Sequence, residues 1–144
     1  MAIPTGSGTE TIHSVLMEDV SATTQTLITG VKHHIYTILS ITLRTVGVHA
    51  TAGNNNDVNI YLTGYDSVAG ASGENINLLN YNAVNKSTFV WNDKFSFFGY
   101  EPSSNTQLAR AAQGSNTPQY LKIETGSTDC KVDVTCTYID QDWS

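Results

Sequence analysis

Basic residues are scarce in this chain: seven Lys and Arg stand against thirteen Asp and Glu, for a net charge of −6. Lys32, Arg44, Lys86, Lys94, Arg110, Lys122 and Lys131 are spread singly along the sequence. They form no basic stripe of the kind a phosphate backbone needs, so nucleic acid is not an expected partner. Long apolar runs are missing as well. None approaches the ~20 residues of a membrane helix, and no membrane contact is expected. Met1 to Gly8 lacks the basic and apolar regions of a signal peptide, so synthesis in the cytoplasm is expected.

Cysteine is limited to Cys130 and Cys136. Six residues apart on a strand, they share a face at roughly 20 Å, taking ~3.3 Å per residue. A disulfide needs Cα atoms within about 7 Å, so the two read as small buried hydrophobes.

The vocabulary of catalysis is equally thin. No Gly-x-Ser-x-Gly elbow orders a Ser, His and Asp set, and no Gly-rich phosphate loop precedes a helix. His33 and His34 are adjacent, so on a strand they point to opposite faces and cannot jointly chelate one ion. His13 and His49 lie at other strand edges. Structural or surface roles are expected for all four, and no metal site. Asn54-Asn55-Asn56-Asp57 has oxygen ligands but neither the alternating acids nor the closing Glu of a calcium loop, and reads as a turn. The chain is expected to be no enzyme and to hold no cofactor.

What is abundant is Thr, Ser, Asn and Gly, at 19, 13, 12 and 11 residues. Thr suits pleated surfaces, while Asn, Ser and Gly suit turns. Apolar content of 40% arranged in alternating runs argues against a disordered polar segment. From Ile35 to Ile139 short β-patterned runs are broken every 8–12 residues or so by Gly, Asn, Ser and Pro. In the run Ile35 to Arg44 the odd positions Ile35, Leu39, Ile41 and Leu43 make an apolar row, the period of a half-buried strand.

Strands are expected at Thr11–Met17, Thr24–Thr29, His33–Val48, Val58–Leu62, Asn75–Asn80, Ser87–Trp91, Lys94–Tyr100, Tyr120–Thr125 and Cys130–Ile139. Ala52 to Asp57 should turn a hairpin into the Val58 strand, Ser67 to Gly73 should be a flexible crossover, and Asn92-Asp93 a tight turn. Thr106 to Ala112 fits either strand or helix. The reading is an all-β antiparallel sandwich, jelly-roll-like, with about eight to ten strands. Its expected core holds Leu39, Ile41, Leu43, Ile60, Leu62, Phe97, Ile123, Val132 and Val134. Residues 1–10, with Gly, Ser and Thr and no apolar run beyond Ala2-Ile3, read as a flexible arm before a single domain over 11–144.

Six aromatics crowd one stretch: Phe89, Trp91, Phe95, Phe97, Phe98 and Tyr100. One set should fill the core, and the other should lie at the surface and mark a partner interface or a sugar platform. The expected interface residues are Ile3, Pro4, Trp91, Phe98, Tyr100 and Trp143.

Ile38-Leu39-Ser40-Ile41-Thr42-Leu43 and Val58-Asn59-Ile60-Tyr61-Leu62 pattern a first hairpin. Ile76 to Val84 leads to a second, with Lys94-Phe95-Ser96-Phe97-Phe98. Leu121 to Thr125 and Val132 to Asp140 close the series. In this order of elements the chain resembles small virion structural proteins of tailed bacteriophages. The resemblance implies a β-sandwich subunit, homo-oligomeric with a trimer favoured, made in the host cytoplasm and located in the virion. Its role would be decoration or cementing of the capsid through contacts with the major capsid or other virion proteins. The alternative is a tail- or fibre-associated module that binds a carbohydrate or receptor through Trp91 or Tyr100.

Overall fold

The computed structural model describes residues 9–51, 54–101 and 117–142. They form nine strands: β1 (Thr9–Val20), β2 (Gln25–Thr29), β3 (His34–Gly47), β4 (Asp57–Asp66), β5 (Ala71–Asn82), β6 (Thr88–Trp91), β7 (Phe95–Phe98), β8 (Tyr120–Thr125) and β9 (Lys131–Asp142). Every pairing is antiparallel and the pairings nest. β1 lies on β9, β2 on β8, β3 on both β6 and β7, and β4 on β5. Such a nested ribbon rolls up when β9 also meets β3 and β8 also meets β4. The result is a first sheet, β1-β9-β3-β6/β7, over a second sheet, β2-β8-β4-β5. This is the jelly-roll order, and the expected all-β sandwich is what the chain forms.

Between the sheets lie Ile41 and Leu43 of β3, Ile60 of β4, Ile123 of β8, and Val132 and Val134 of β9, all without solvent exposure. Each such side chain contributes about 1.5–3 kcal/mol relative to an exposed one. Phe97 is buried as expected and stacks on Tyr36 at 5.3 Å, whereas Leu62 sits at the margin.

The β3 row differs from the expectation. Ile38 pairs with Tyr138 and Ser40 with Thr137, so Leu39 is an extra residue against β9. A bulge of one residue reverses the side-chain alternation. Tyr36 and Ile38 are therefore buried before it, Ile41 and Leu43 after it, and Ile35 and Leu39 are only half-buried.

Three connections also differ. β3 and β4 belong to different sheets, so the segment between them is a corner and not a hairpin turn. Asn56 holds that corner: its Oδ1 accepts from His49 N at 2.6 Å, and its carbonyl accepts from Ala83 N at 2.8 Å. The expected crossover at Ser67 to Gly73 is instead a tight β4–β5 hairpin. Asp66 Oδ1 accepts from Val68 N and Ala69 N, and Gly70 supplies a positive φ of 67°. Last, β6 and β7 are not a hairpin. Both pair with β3, β6 along Ile41–Arg44 and β7 along Ile35–Ile38, as two segments of one edge interrupted opposite the Leu39 bulge.

Thr9 and Glu10, expected in the arm, open β1 through pairs with Asp142 and Gln141. The rest of the arm, Thr106 to Ala112 and Trp143 lie outside the described residues. At one end of the sandwich a run of backbone hydrogen bonds joins the two sheets. Gly30 N donates to Gln119 O, Gln119 N to Gly99 O, and Gly99 N to His34 O, each at 2.8 Å. A Cβ on Gly30 would lie 1.9 Å from Gly99 O, and one on Gly99 1.9 Å from Val31 O, so both positions require glycine.

Candidate interaction surface

Opposed residues of an antiparallel pair share a face. On the β1–β9 pair, Val15 opposes buried Cys136 and Met17 opposes buried Val134, which places both on the core side. Ile12, Ser14 and Leu16 must then stand on the outer face of the first sheet, with Ile139, Thr137 and Thr135 opposite them. Followed across the sheet, one row runs Leu16, Thr135, Thr42, Val90. The next runs Ser14, Thr137, Ser40, and the third Ile12, Ile139, Thr37, Ser96. No charged side chain stands in these three rows. Thr37 Oγ1 and Ser96 Oγ share a hydrogen bond of 2.9 Å.

Charge appears at the two ends. Asp133, Arg44 and Thr88 form one flanking row, and Asp133 also accepts from Asp19 N at 2.9 Å. Glu10, Gln141, Ile35 and Phe98 form the other, with Gln141 Nε2 donating to Glu10 at 2.7 Å. The aliphatics Ile12, Leu16 and Val90 are exposed at the margins. The outer face is thus a carpet of short hydroxyl side chains with an aliphatic border, in a chain of net charge −6.

Of the expected interface residues, Phe98 stands on this face, half-buried beside Ile35. Trp91 does not: it opposes buried Ile41, packs against the core and stacks on Phe95 at 5.2 Å. Phe89 likewise turns to the core side and stacks on Tyr81 at 4.7 Å. Tyr100 is half-buried at the sandwich end, bridged to Pro118. Ile3, Pro4 and Trp143 fall outside the described residues. Ile12 and Leu16 were not singled out by sequence. The available signal was that Ile12 and Leu16 share one parity of β1 while Val15 and Met17 share the other, so one apolar set had to face out.

Several titratable groups are held in structural contacts. His34 Nδ1 lies 2.7 Å from Asp140 Oδ1 and Nε2 lies 3.5 Å from Asp142 Oδ1, so carboxylates occupy both ring positions and tie β3 to β9. Burial, and then the Asp140 charge, push the neighbouring Tyr36 hydroxyl up to about 12. Burial raises Tyr138 too, and pushes the Cys136 thiol up to about 12. Cys130 is raised by burial and its backbone carbonyl accepts from Thr125 Oγ1 at 2.7 Å. Both cysteines are free and buried, and a thiol held protonated is a poor nucleophile. His13 stacks on Tyr138 at 5.3 Å. Among the described residues no three His, Cys, Asp or Glu side chains are arranged to hold a metal ion.

Comparison with protein-family models and with curated proteins gives no match. Among solved structures, the chain is similar to a subunit of the disulfide-linked pili of Bacillus endospore appendages. The TM-score is 0.45 and the identity 16%, over 100% of this chain and 97% of that one. It is similar to a chain of the T13 IBDV viral particle at TM-score 0.46 and 8% identity, over 92% of this chain but only 31% of that one. A chain of the empty cowpea mosaic virus particle gives TM-score 0.40 and 16% identity, over 91% and 82%. The nested strand order, not these distant likenesses, establishes the fold.

Proposed function

We propose that this chain is a non-enzymatic structural component of a virus particle, a phage protein that decorates or cements the capsid surface through protein–protein contacts. The observation that carries the reading is the outer face of the first sheet. Three successive rows of Thr, Ser and aliphatic side chains carry no charge, although the chain has twenty charged residues. Interface cores are short of charge in the same way. Beside that face Glu10 accepts from Gln141 and Asp133 accepts from Asp19 N, contacts that suit a scaffold. Self-association as the trimer that the resemblance implies, and contact with the major capsid protein through an arm bearing Ile3 and Pro4, belong to the same proposal.

An electron-microscopy map of particles carrying the chain tests it. Density for the jelly roll on the capsid lattice is the expected result. Density on the tail or a fibre, with glycan binding abolished by a Tyr100→Ala substitution, would favour the carbohydrate- or receptor-binding alternative. Trp91 suits that alternative poorly, since its ring lies against Phe95 and the core.

A further inference from the structure

β1 ends the first sheet, and among the described residues its only strand partner is β9. Its pairing with β9 runs unbroken from Thr9 to Met17, and the bulge comes only beyond Met17. One side of the strand is thus satisfied, while alternate N–H and C=O groups point away along the other. Thr11 to Met17 contains no Gly, no Pro and no acidic residue or Lys or Arg. Edge strands are commonly protected by such residues, and this stretch has none of them.

Its side chains fit a second copy of themselves. Ile12 is 72% exposed and Leu16 66% exposed, and both stand on the outer face with Ser14 midway between. When a strand pairs antiparallel with its own copy, a single residue at the two-fold axis defines the register. With Ser14 at the axis, Ile12 opposes Leu16 of the second copy and Leu16 opposes its Ile12. On the other side of the strand His13 opposes Val15 and Thr11 opposes Met17. Moving the axis one residue toward the N-terminus sets Ile12 against Ser14 and Leu16 against Glu10. Moving it one residue the other way sets Leu16 against Ser14 and Ile12 against Glu18. Of these three axes, the one at Ser14 gives both exposed aliphatics an aliphatic partner.

We infer that β1 is a self-association edge: two copies join β1 to β1 about a two-fold axis at Ser14, making one continuous sheet of twice the width. This rests on the assembling role proposed above and adds the contact through which copies join. The seven paired residues would exchange about six to eight backbone hydrogen bonds. Just beyond them Glu10 approaches Glu18 of the second copy at each end. Glu10 is drawn back by Gln141, and Glu18 sits where the bulge turns the strand, so this repulsion stays at the rim. Added salt should therefore strengthen the pair. The joined sheets would also present the uncharged Thr and Ser rows as one double-width surface.

Sedimentation of the full chain from micromolar to sub-millimolar concentration tests the inference. The expected mass is an even multiple of the chain mass, six chains where the β1 contact joins two of the trimers proposed above. Ile12→Lys and Leu16→Glu should each weaken the pairing step about tenfold or more, since each sets a charge against an aliphatic side chain at two places. At concentrations where the wild-type chain is dissociated, both variants should melt at the wild-type temperature, because both side chains are exposed in the single chain. The double variant, Ile12→Lys with Leu16→Glu, sets the introduced ammonium against the introduced carboxylate twice and should regain most of the association. An odd-numbered oligomer, a monomer throughout, or a double variant weaker than either single one overturns the inference. An oligomer indifferent to all three variants overturns the β1 contact while leaving the particle role standing. Absence from particles alongside an intact β1 pair in solution does the reverse.

Discussion

The molecule has two long sheet edges of equal length, and they are built differently. β1 and β5 each run twelve residues, one ending the first sheet and the other the second. β5 carries Gly73 at a φ of 73°, Glu74, and asparagines at 75, 77, 80 and 82. Its register against β4 shifts twice, once where Leu78 is inserted and once between Gly64 and Asp66. Bulges, a glycine at positive φ and a charged residue all discourage a further strand from pairing. β1 has an unbulged stretch from Thr11 to Met17 with none of these devices. Two edges of one fold thus differ in whether they refuse or accept another strand, and the difference lies in composition and bulge position, not in length.

The largest expected effect removes the frame on which both edges hang. Gly99→Ala places a methyl group against the Val31 carbonyl in a corner where β7, β8 and the end of β2 meet through backbone hydrogen bonds. No flexible side chain can move aside there. A loss of about 3 kcal/mol or more is expected in urea unfolding. An alanine variant with wild-type stability would mean that the corner is looser than these contacts imply.

A middle-sized effect separates the edges. Glu101 is buried, and its carboxylate accepts from Ser72 Oγ and, at 2.8 Å, from Gly73 N at the start of β5. Glu101→Ala leaves both donors without that acceptor and should cost about 2 kcal/mol. Amide exchange should quicken at the start of β5 and stay unchanged along β1. Equal quickening on both edges would show that Glu101 supports the whole sandwich.

The smallest effect at ordinary pH becomes visible only in alkali. Tyr36 and Cys136 lie beneath the β1 sheet and Tyr81 lies in β5, and burial pushes all three up to about 12. Each is a weak acid whose neutral form the fold prefers. Stability is therefore full below the ordinary Cys and Tyr values of about 9 and 10, and falls as the pH climbs toward 12. Denaturant midpoints measured at pH 8, 10 and 11 should decline in that order. Tyr36→Phe should start lower, since Val31 N loses its hydroxyl acceptor at 3.0 Å, but should decline less steeply. Parallel declines would remove Tyr36 from the account.

Much of the fold was legible because burial on one face leaves a period of two. Ile41 and Leu43, Ile60, Ile123, Val132 and Val134 could be assigned to the core from alternation alone. Alternation cannot reveal an inserted residue, however, and the Leu39 bulge reversed the row before it. Nor does a turn state which strands it joins. Asn92-Asp93 has the composition of a hairpin turn, yet it interrupts one edge along β3. The outer face of the first sheet was less legible still. Phe98 was expected at the surface because an aromatic surplus is conspicuous, and it stands half-buried on that face, whereas Ile12 and Leu16 look like any strand interior until Val15 and Met17 are seen to take the core side of β1.

By itself the sequence determined the class of structure: short alternating runs with Thr on the strands, turn residues between them, two thiols too far apart on one strand to pair, and no ordered catalytic set. These follow from local geometry, since side-chain alternation, turn chemistry and reach along a strand are properties of a few neighbouring residues. Only the tertiary structure decided the nesting of first strand on last, the sheet to which β4 belongs, the glycine contact between Gly30 and Gly99, and the pairing of β1 with β9 alone among the described strands. Each of these depends on contacts between residues far apart in the chain, and identical local patterns are compatible with several such arrangements. The packing of two sheets around one core selects among them, and the arrangement formed buries Tyr36, Ile38, Ile41 and Leu43 together across a bulge.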